Sequence, residues 1–284
     1  TRYIGVTGVQ TCALPIFHPR HLGHKALAVN LSDLAACGGK PKAFMLALSL
    51  PHVDPHWLAE FSAGLWALAD AHDIDLIGGD TTRGPLNICI TVLGEVPRTE
   101  ALLRSGAQVG DDIYVSGNLG DARLALEVFR GALQVDAPVF EGARQRMEQP
   151  SPRVALGLAL RGIAHAAADI SDGLLGDLQH ILKASGVGAD IDTQQVLSTL
   201  FAQSQINLPL ATQLQLTLAG GDDYELVFTA PESKRADIAA LSVSLKTPLT
   251  RIGKINVSQQ LRLLDAQGHV VVNEFQSFDH FKTD

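Results

Sequence analysis

The chain has 284 residues, of which 46% are hydrophobic and only 5% aromatic, and its net charge is −8. This length suggests about two domains of roughly 150 residues each, and the aliphatic composition suits layered α/β packing rather than disorder. The acidic charge and the lack of a Lys/Arg cluster argue against a nucleic-acid partner. Three cysteines without a C-x-x-C pair do not form a disulfide framework, and no apolar run approaches the ~20 residues of a membrane span. These features favour a cytoplasmic protein.

The N-terminal part begins with an anomalous segment and continues with clear periodicity. Residues 1–17 show no clean period and resemble translated sequencing-adapter sequence, so we expect a non-native segment there. Apolar spacing and cap residues then predict helices over 21–37 and 54–72 and a buried strand over 43–50. A short strand over 74–77 is expected to end in a tight turn at Gly78-Gly79, because glycine adopts positive φ without steric cost. Another strand follows over 87–96.

A polar connection over 97–110 separates this part from the rest, and we place the domain boundary near residue 105. The elements predicted beyond it are, in order, strand 112–116, helices 120–130, 138–148 and 152–166, a strand ending at Asp169, helix 174–184, strand 189–192, an ambiguous stretch 193–208, helix 210–218, strand 224–229, helix 232–245, and strands 249–255, 261–264 and 270–272. Alternating strands and helices are typical of an α/β protein. We therefore predict an N-terminal domain over 18–105 and a C-terminal domain over 106–284.

Three stretches combine glycine with aspartate, and they carry the candidate chemistry. They are Ile77–Gly84 (IGGDTTRG), Asp169–Gly173 (DISDG) and Ala219–Glu225 (AGGDDYE). The second lies at a predicted strand-to-helix junction, where free N–H groups favour an anion. Oxygen ligands without a Cys/His grouping select a hard cation, magnesium before zinc. We predict that the three stretches converge on one magnesium–nucleotide site suited to phosphoryl transfer.

Ordinary structural roles remain open for each of these residues. Asp33 could lie on a solvated face of its helix, and Asp80 or Asp172 could simply cap a turn or a helix. Arg104 could be a surface residue, and Asp222 could belong to a solvated turn. The sequence contains no P-loop, Rossmann, zincin or α/β-hydrolase motif, so those classes are excluded by motif.

Taken together, several segments resemble the bacterial thiamine-monophosphate kinases, whose superfamily includes aminoimidazole-ribonucleotide and selenophosphate synthetases. The segments are Lys25–Gly38, Ile77–Pro85, Arg104–Ala107, Ile170–Leu174, Gly220–Leu226 and, near the C-terminus, Phe278–Phe281. The resemblance implies a two-domain synthetase-like α/β fold with mixed sheets and helices packed on one face. It also implies direct phosphoryl transfer from ATP to thiamine monophosphate, giving thiamine diphosphate, and a homodimer formed through the N-terminal domains.

The resemblance also implies the site residues, position by position. The magnesium ligands would be Asp33, Asp80, Asp169 and Asp172. The ATP contacts would be Gly79, Arg104 and Ser171, and the substrate contacts would be Asp222 and Phe278. The family usually has Glu where Asp222 stands, so the reach of this shorter side chain is in question. A phenyl face at Phe278 suits a cationic thiazolium.

The sequence departs from the family upstream of the Lys25 helix. There the family has a Gly-Asp-Asp loop and a Ser-Thr-Asp strand followed by a His, and residues 1–17 do not match them. We therefore expect the chain as written to be a truncated, weakly active or inactive kinase. Two other hypotheses are a related ATP-dependent synthetase and a non-catalytic nucleotide-binding protein. Turnover of thiamine monophosphate rather than of aminoimidazole precursors would distinguish the kinase from the synthetase.

Overall fold

The structure is a computed structural model that describes residues 2–10, 17–201 and 205–275, with side chains from residue 17 onward. The chain divides into two compact units, Thr1–Ala101 with Glu148–Leu158 and Leu102–Met147 with Ala159–Asp284. The sequence-based boundary near residue 105 stays a prediction. The structure adds that the short segment 148–158 belongs to the first unit, although it lies between the two stretches of chain that form the second.

The first unit combines a four-stranded sheet with two long helices. Its elements are β1 (Arg2–Gln10), α1 (Pro19–Ala36), β2 (Lys40–Leu50), α2 (Pro55–Ala71), β3 (Asp75–Arg83) and β4 (Asn87–Val96). The strand order is β1-β4-β2-β3, in which β2 and β3 are parallel and the other pairs antiparallel. Helix α2 begins as the sequence predicts, because the Asp54 carboxylate accepts hydrogen bonds from the backbone N–H groups of His56 and Trp57.

The helices cover one face of this sheet. Inward-facing Phe44 and Leu48 alternate along β2 with outward-facing Met45, so the pleat separates a buried face from an exposed one. Helices α1 and α2 pack closely against each other through glycines. A Cβ at Gly23 would lie 2.0 Å from the Phe61 carbonyl oxygen, so the two backbones could not approach this closely with any larger residue.

One expectation for the first unit was wrong, and one segment without a predicted element forms a strand. Residues 2–10, which show no hydrophobic period, form β1 along nearly the whole of β4. The Gly78-Gly79 pair does not make a turn, because β3 continues through both glycines to Arg83 beside β2. Gly79 has φ +139°, and a Cβ there would lie 1.9 Å from the Leu46 carbonyl oxygen. The close approach of β2 therefore requires this glycine.

The remaining elements are a mixture of helices and strands. They are β5 (Asp112–Ser116), α3 (Asp121–Phe129), α4 (Ala137–Glu148), α5 (Val154–Ala159), β6 (Ala166–Ile170), α6 (Leu174–Ser185), β7 (Gly188–Asp192), α7 (Thr193–Leu197), α8 (Leu210–Ala219), β8 (Glu225–Ala230), α9 (Arg235–Ser244), β9 (Leu249–Asn256), β10 (Leu261–Leu264) and β11 (Val270–Val271). The second unit holds a seven-stranded sheet in the order β11-β10-β7-β9-β5-β8-β6, with β7 and β10 as its parallel pair. The predicted α/β class with mixed sheets is confirmed.

The core of the second unit fixes the position of α6. Leu178 and Ile181 of this helix are fully buried against Ile113 and Val115 of the central strand β5 and Ile170 of the edge strand β6. Burying such aliphatic side chains stabilises the fold by about 1.5–3 kcal/mol each. The junction between β6 and α6 is therefore anchored on both sides by the main core.

Two further differences concern local signals. The helix predicted over 152–166 is only α5, because the chain turns after it: the Leu160 carbonyl accepts from the backbone N–H groups of Ile163 and Ala164, and Gly162 has φ +69°. The ambiguous stretch 193–208 begins with α7, capped by the Asp192 carboxylate, and residues 202–204 of it lie outside the described residues.

Candidate active site

The DISDG stretch forms the loop between β6 and α6. Asp169 is the penultimate residue of β6 and is only 6% exposed. The Asp177 carboxylate, one turn into α6, reaches back and accepts hydrogen bonds from the backbone N–H groups of Ser171 at 2.9 Å and Asp172 at 3.1 Å. The loop is thus held by its own helix, and this fixes the direction in which its side chains leave the backbone.

The AGGDDYE stretch packs directly against this loop. The backbone N–H of Asp222 donates to the Ser171 carbonyl at 2.8 Å, and the N–H of Tyr224 donates to the Ile170 carbonyl at 2.9 Å. Gly221 has φ +70°, and a Cβ there would lie 2.8 Å from the Ser171 carbonyl oxygen. Two of the three predicted stretches are therefore neighbours, and a glycine makes their close approach possible.

Carboxylates are concentrated where the two loops meet. Burial, followed by the negative charges of Asp169 and Asp172, raises the pKa of Asp177 to about 7 against its two backbone hydrogen bonds. Burial likewise raises the pKa of Asp223 well above its ordinary value, although the Gly120 N–H donates to its carboxylate at 2.9 Å. The nearby charges of Asp121, Asp222 and Glu225 raise it further. A cation among these oxygens would relieve the repulsion, and oxygen is the donor atom that magnesium prefers.

The predicted ligands of the first unit lie in more exposed surroundings. Asp33 is half-buried on α1, and Asp80 is exposed in β3, where its carboxylate accepts from the backbone N–H of Thr81 at 2.8 Å. Gly79 immediately precedes Asp80, in backbone contact with β2. The Asp80 carboxylate therefore accepts a local bond within a strand, and the residue does not lie in a turn.

Arg104 and Phe278 complete the predicted set. Arg104 lies in an exposed segment beside the first residues of β6, where the backbone N–H of Ala167 donates to the Leu103 carbonyl at 3.0 Å. Phe278 lies outside the described residues. Phe275, three positions before it, lines a cavity of about 540 Å³ beside α6. Within either unit, as far as the structure describes them, no three or more His, Cys, Asp or Glu side chains are grouped closely enough to hold a metal ion.

Sequence reasoning missed three polar residues around the loops. Asp177 holds the DISDG backbone, and Ser116 donates to the buried carboxylate of Glu225 while accepting from the Leu226 N–H. Asp177 had a sequence signal, because an acidic residue in the first turn of a helix can satisfy free N–H groups before it. Ser116 and Glu225 had none, since their pairing depends on the alignment of β5 with β8.

No helix in the described ranges combines the length and the apolar character that crossing a membrane requires.

Comparisons with known proteins agree with this architecture. Residues 6–96 match the N-terminal domain model of AIR synthase related proteins, and residues 108–265 match the C-terminal domain model. A thiamine-monophosphate kinase of Salmonella typhimurium is 44% identical over 95% of this chain and 83% of its own length.

Solved structures extend the likeness to the fold. The thiamine-monophosphate kinase from Stenotrophomonas maltophilia K279a superimposes with a TM-score of 0.88 at 44% identity, over 95% of this chain and 86% of that one. AaThiL complexed with AMPPCP and TMP gives a TM-score of 0.82 at 27% identity, over 98% of this chain and 87% of that one.

Proposed function

Because the chain belongs to the thiamine-monophosphate kinases of the AIR synthase related family, we propose that it transfers the γ-phosphoryl group of ATP to thiamine monophosphate, giving thiamine diphosphate. The observation that carries this proposal is the direct contact of the DISDG and AGGDDYE loops in a chain 44% identical to such a kinase. The co-substrates follow from AaThiL, which was solved with AMPPCP and TMP. We expect the enzyme in the cytoplasm.

The carboxylates have the role of holding magnesium in this proposal. Asp169 and Asp172 of the second unit and Asp33 and Asp80 of the first would supply oxygen ligands. Bound magnesium neutralises phosphate charge during phosphoryl transfer. Asp177 accepts from two N–H groups of the DISDG loop and so fixes the loop geometry before any ligand binds. Preorganisation of this kind lowers the reorganisation that the reaction requires.

The other predicted residues would orient the two substrates. Ser171, in the loop before α6, and Gly79, where β3 passes close to β2, would lie against the nucleotide. Arg104 offers a guanidinium that can form two parallel bonds with phosphate oxygens. Asp222 and Phe278 would contact thiamine monophosphate, the aromatic ring facing its cationic thiazolium. Phosphoryl transfer requires positioning more than a covalent nucleophile, and none is assigned.

We also propose a homodimer formed through the sheet of the first unit. The face of this sheet opposite the helices exposes large apolar side chains, with Met45 37% and Ile77 57% exposed. Leu93 of β4 is half-buried and alternates with the inward-facing Val92. An apolar sheet face of this kind is a characteristic interaction surface, and a second copy would present the same face.

Product formation tests the proposed activity. The chain is incubated with ATP, magnesium and thiamine monophosphate, and thiamine diphosphate is separated chromatographically from the substrates. Formation that depends on magnesium and is lost in Asp172→Ala supports the proposal. Turnover of aminoimidazole precursors instead would favour a synthetase, and AMPPCP binding without any turnover would favour a binding protein.

A further inference from the structure

Ser185 is the last residue of α6, and its hydroxyl forms hydrogen bonds with the backbone of residues 104–107. The Ser185 Oγ accepts hydrogen bonds from the backbone N–H groups of Gly106 at 3.1 Å and Ala107 at 3.2 Å, and it donates to the Arg104 carbonyl at 3.3 Å. One donated and two accepted bonds are the full capacity of a hydroxyl. The helix itself ends without this hydroxyl, because Gly186 adopts the left-handed conformation and its N–H bonds to the Leu182 carbonyl.

The segment from Leu103 to Ala107, here called the Arg104 segment, is fixed at its two ends. At one end the Leu103 carbonyl accepts from the Ala167 N–H, and at the other Ala107 is buried in the core. Gly106 has φ +126°, and a Cβ there would lie 2.6 Å from the His165 carbonyl oxygen, so glycine is required. Ser185 holds the middle of the segment, where the side chain of Arg104 leaves the backbone.

We propose that Ser185 is a positioning residue for Arg104, and through it for the nucleotide phosphates; this rests on the nucleotide role of Arg104 in the proposed function. Arg104 is exposed, so its long side chain gains little order from packing. A fixed backbone limits where the guanidinium can reach, which lowers the entropy lost when it binds phosphate. Helix α6 carries the DISDG loop at its first turn and Ser185 at its last, so one rigid helix sets the position of both.

Substitution of Ser185 tests the proposal, because it should change the KM for ATP but not the KM for thiamine monophosphate. One lost hydrogen-bonding group changes an equilibrium about fivefold. Ser185→Ala should therefore raise the KM for ATP and the dissociation constant of magnesium–AMPPCP about fivefold. The KM for thiamine monophosphate should change less than about twofold. Ser185→Thr, which keeps the hydroxyl, should restore nucleotide affinity to within about twofold of the unmodified chain.

A double substitution separates positioning from a purely structural role. If Ser185 acts through Arg104, then Ser185→Ala should weaken AMPPCP binding no further once Arg104→Ala is present. Additive losses would overturn the proposal, as would unchanged AMPPCP binding in Ser185→Ala. Ser244→Ala is the matched control, because Ser244 also ends a helix and donates to a carbonyl, that of Leu241 at 3.1 Å.

The binding measurement also keeps the two proposals distinguishable. AMPPCP binding requires no turnover, so Ser185 can be tested even if the chain forms no thiamine diphosphate. Failure of the kinase assay with intact coupling between Ser185 and Arg104 would count against the activity alone. Thiamine diphosphate formation without that coupling would count against the role of Ser185 alone.

Discussion

The two units present their predicted metal ligands in contrasting ways. In the second unit Asp169 is 6% exposed, and the adjoining loop is fastened by Asp177 and by the AGGDDYE backbone. In the first unit Asp80 is exposed and held by a bond to the neighbouring residue. Buried carboxylates interact more strongly than exposed ones, because water screens the latter. The contrast teaches that the second unit presents its candidate ligands in preorganised surroundings, whereas the first unit presents them on an exposed strand.

The largest expected effect is on turnover. Asp169→Asn removes a buried charge from the second unit and should lower kcat about 10²–10³-fold, as the loss of one strong electrostatic contact does in other enzymes. Asp80→Asn removes an exposed charge from the first unit and should lower kcat only about tenfold, because water screens that charge. Steady-state assays of thiamine diphosphate formation measure both. Equal losses would break the comparison between the units. Asp192→Asn is the control. Asp192 caps α7, and an asparagine there would cap the helix equally well.

The next effect concerns stability and pH. Asp177 has a folded pKa raised to about 7, whereas the unfolded value is about 3.9. Between these values the folded chain keeps a proton that the unfolded chain has lost, so stability falls as pH rises through this window and levels off above it. The loss in the free energy of unfolding should be about 4 kcal/mol, at about 1.4 kcal/mol per pKa unit.

Asp177→Asn should remove this dependence while still accepting the two backbone bonds. In metal-free buffer the variant should match the unmodified chain near pH 4 and exceed it at pH 8, as followed by denaturant unfolding with circular dichroism. Identical pH profiles for the two proteins would contradict the assigned pKa.

A smaller effect tests the backbone of the first unit. Gly79→Ala places a Cβ 1.9 Å from the Leu46 carbonyl oxygen at φ +139°, so it should destabilise the unit by about 1–3 kcal/mol. Gly78→Ala is the matched control, because its Cβ would meet nothing within 4 Å. Both tryptophans, Trp57 and Trp66, lie in this unit, so their fluorescence follows its unfolding. Equal stability of the two variants would show that β2 does not require Gly79.

The smallest effect is on association. Met45→Glu places a charge on the exposed face of the first sheet and should weaken a homodimer about tenfold or more, since burying an unpaired charge is unfavourable. Analytical ultracentrifugation measures the dissociation constant. Val53→Glu is the control, because Val53 is 77% exposed in the connection before α2 and lies outside the sheet. An unmodified chain that stays monomeric would contradict the proposed interface.

Much of the architecture could be predicted because its signals are local. The Asp54-Pro55 cap predicted the start of α2, and alternating apolar segments predicted the α/β class. The path of β3 through Gly78-Gly79 could not be predicted, because two glycines permit a turn and a close strand pair equally well. Only the neighbouring strand β2 decides between them.

The candidate site likewise combines features that local sequence determines with contacts that only the fold creates. The sequence by itself determined the family, the candidate carboxylates and the glycines beside them, since residue type and spacing along the chain carry that information. Tertiary structure alone decided that the Asp222 backbone bonds to Ser171, that Glu225 accepts from Ser116, and that Ser185 holds the Arg104 segment. The residues that these three contacts join are 51, 109 and 79 positions apart in the chain. Only the packing of the sheet and α6 brings such distant residues together.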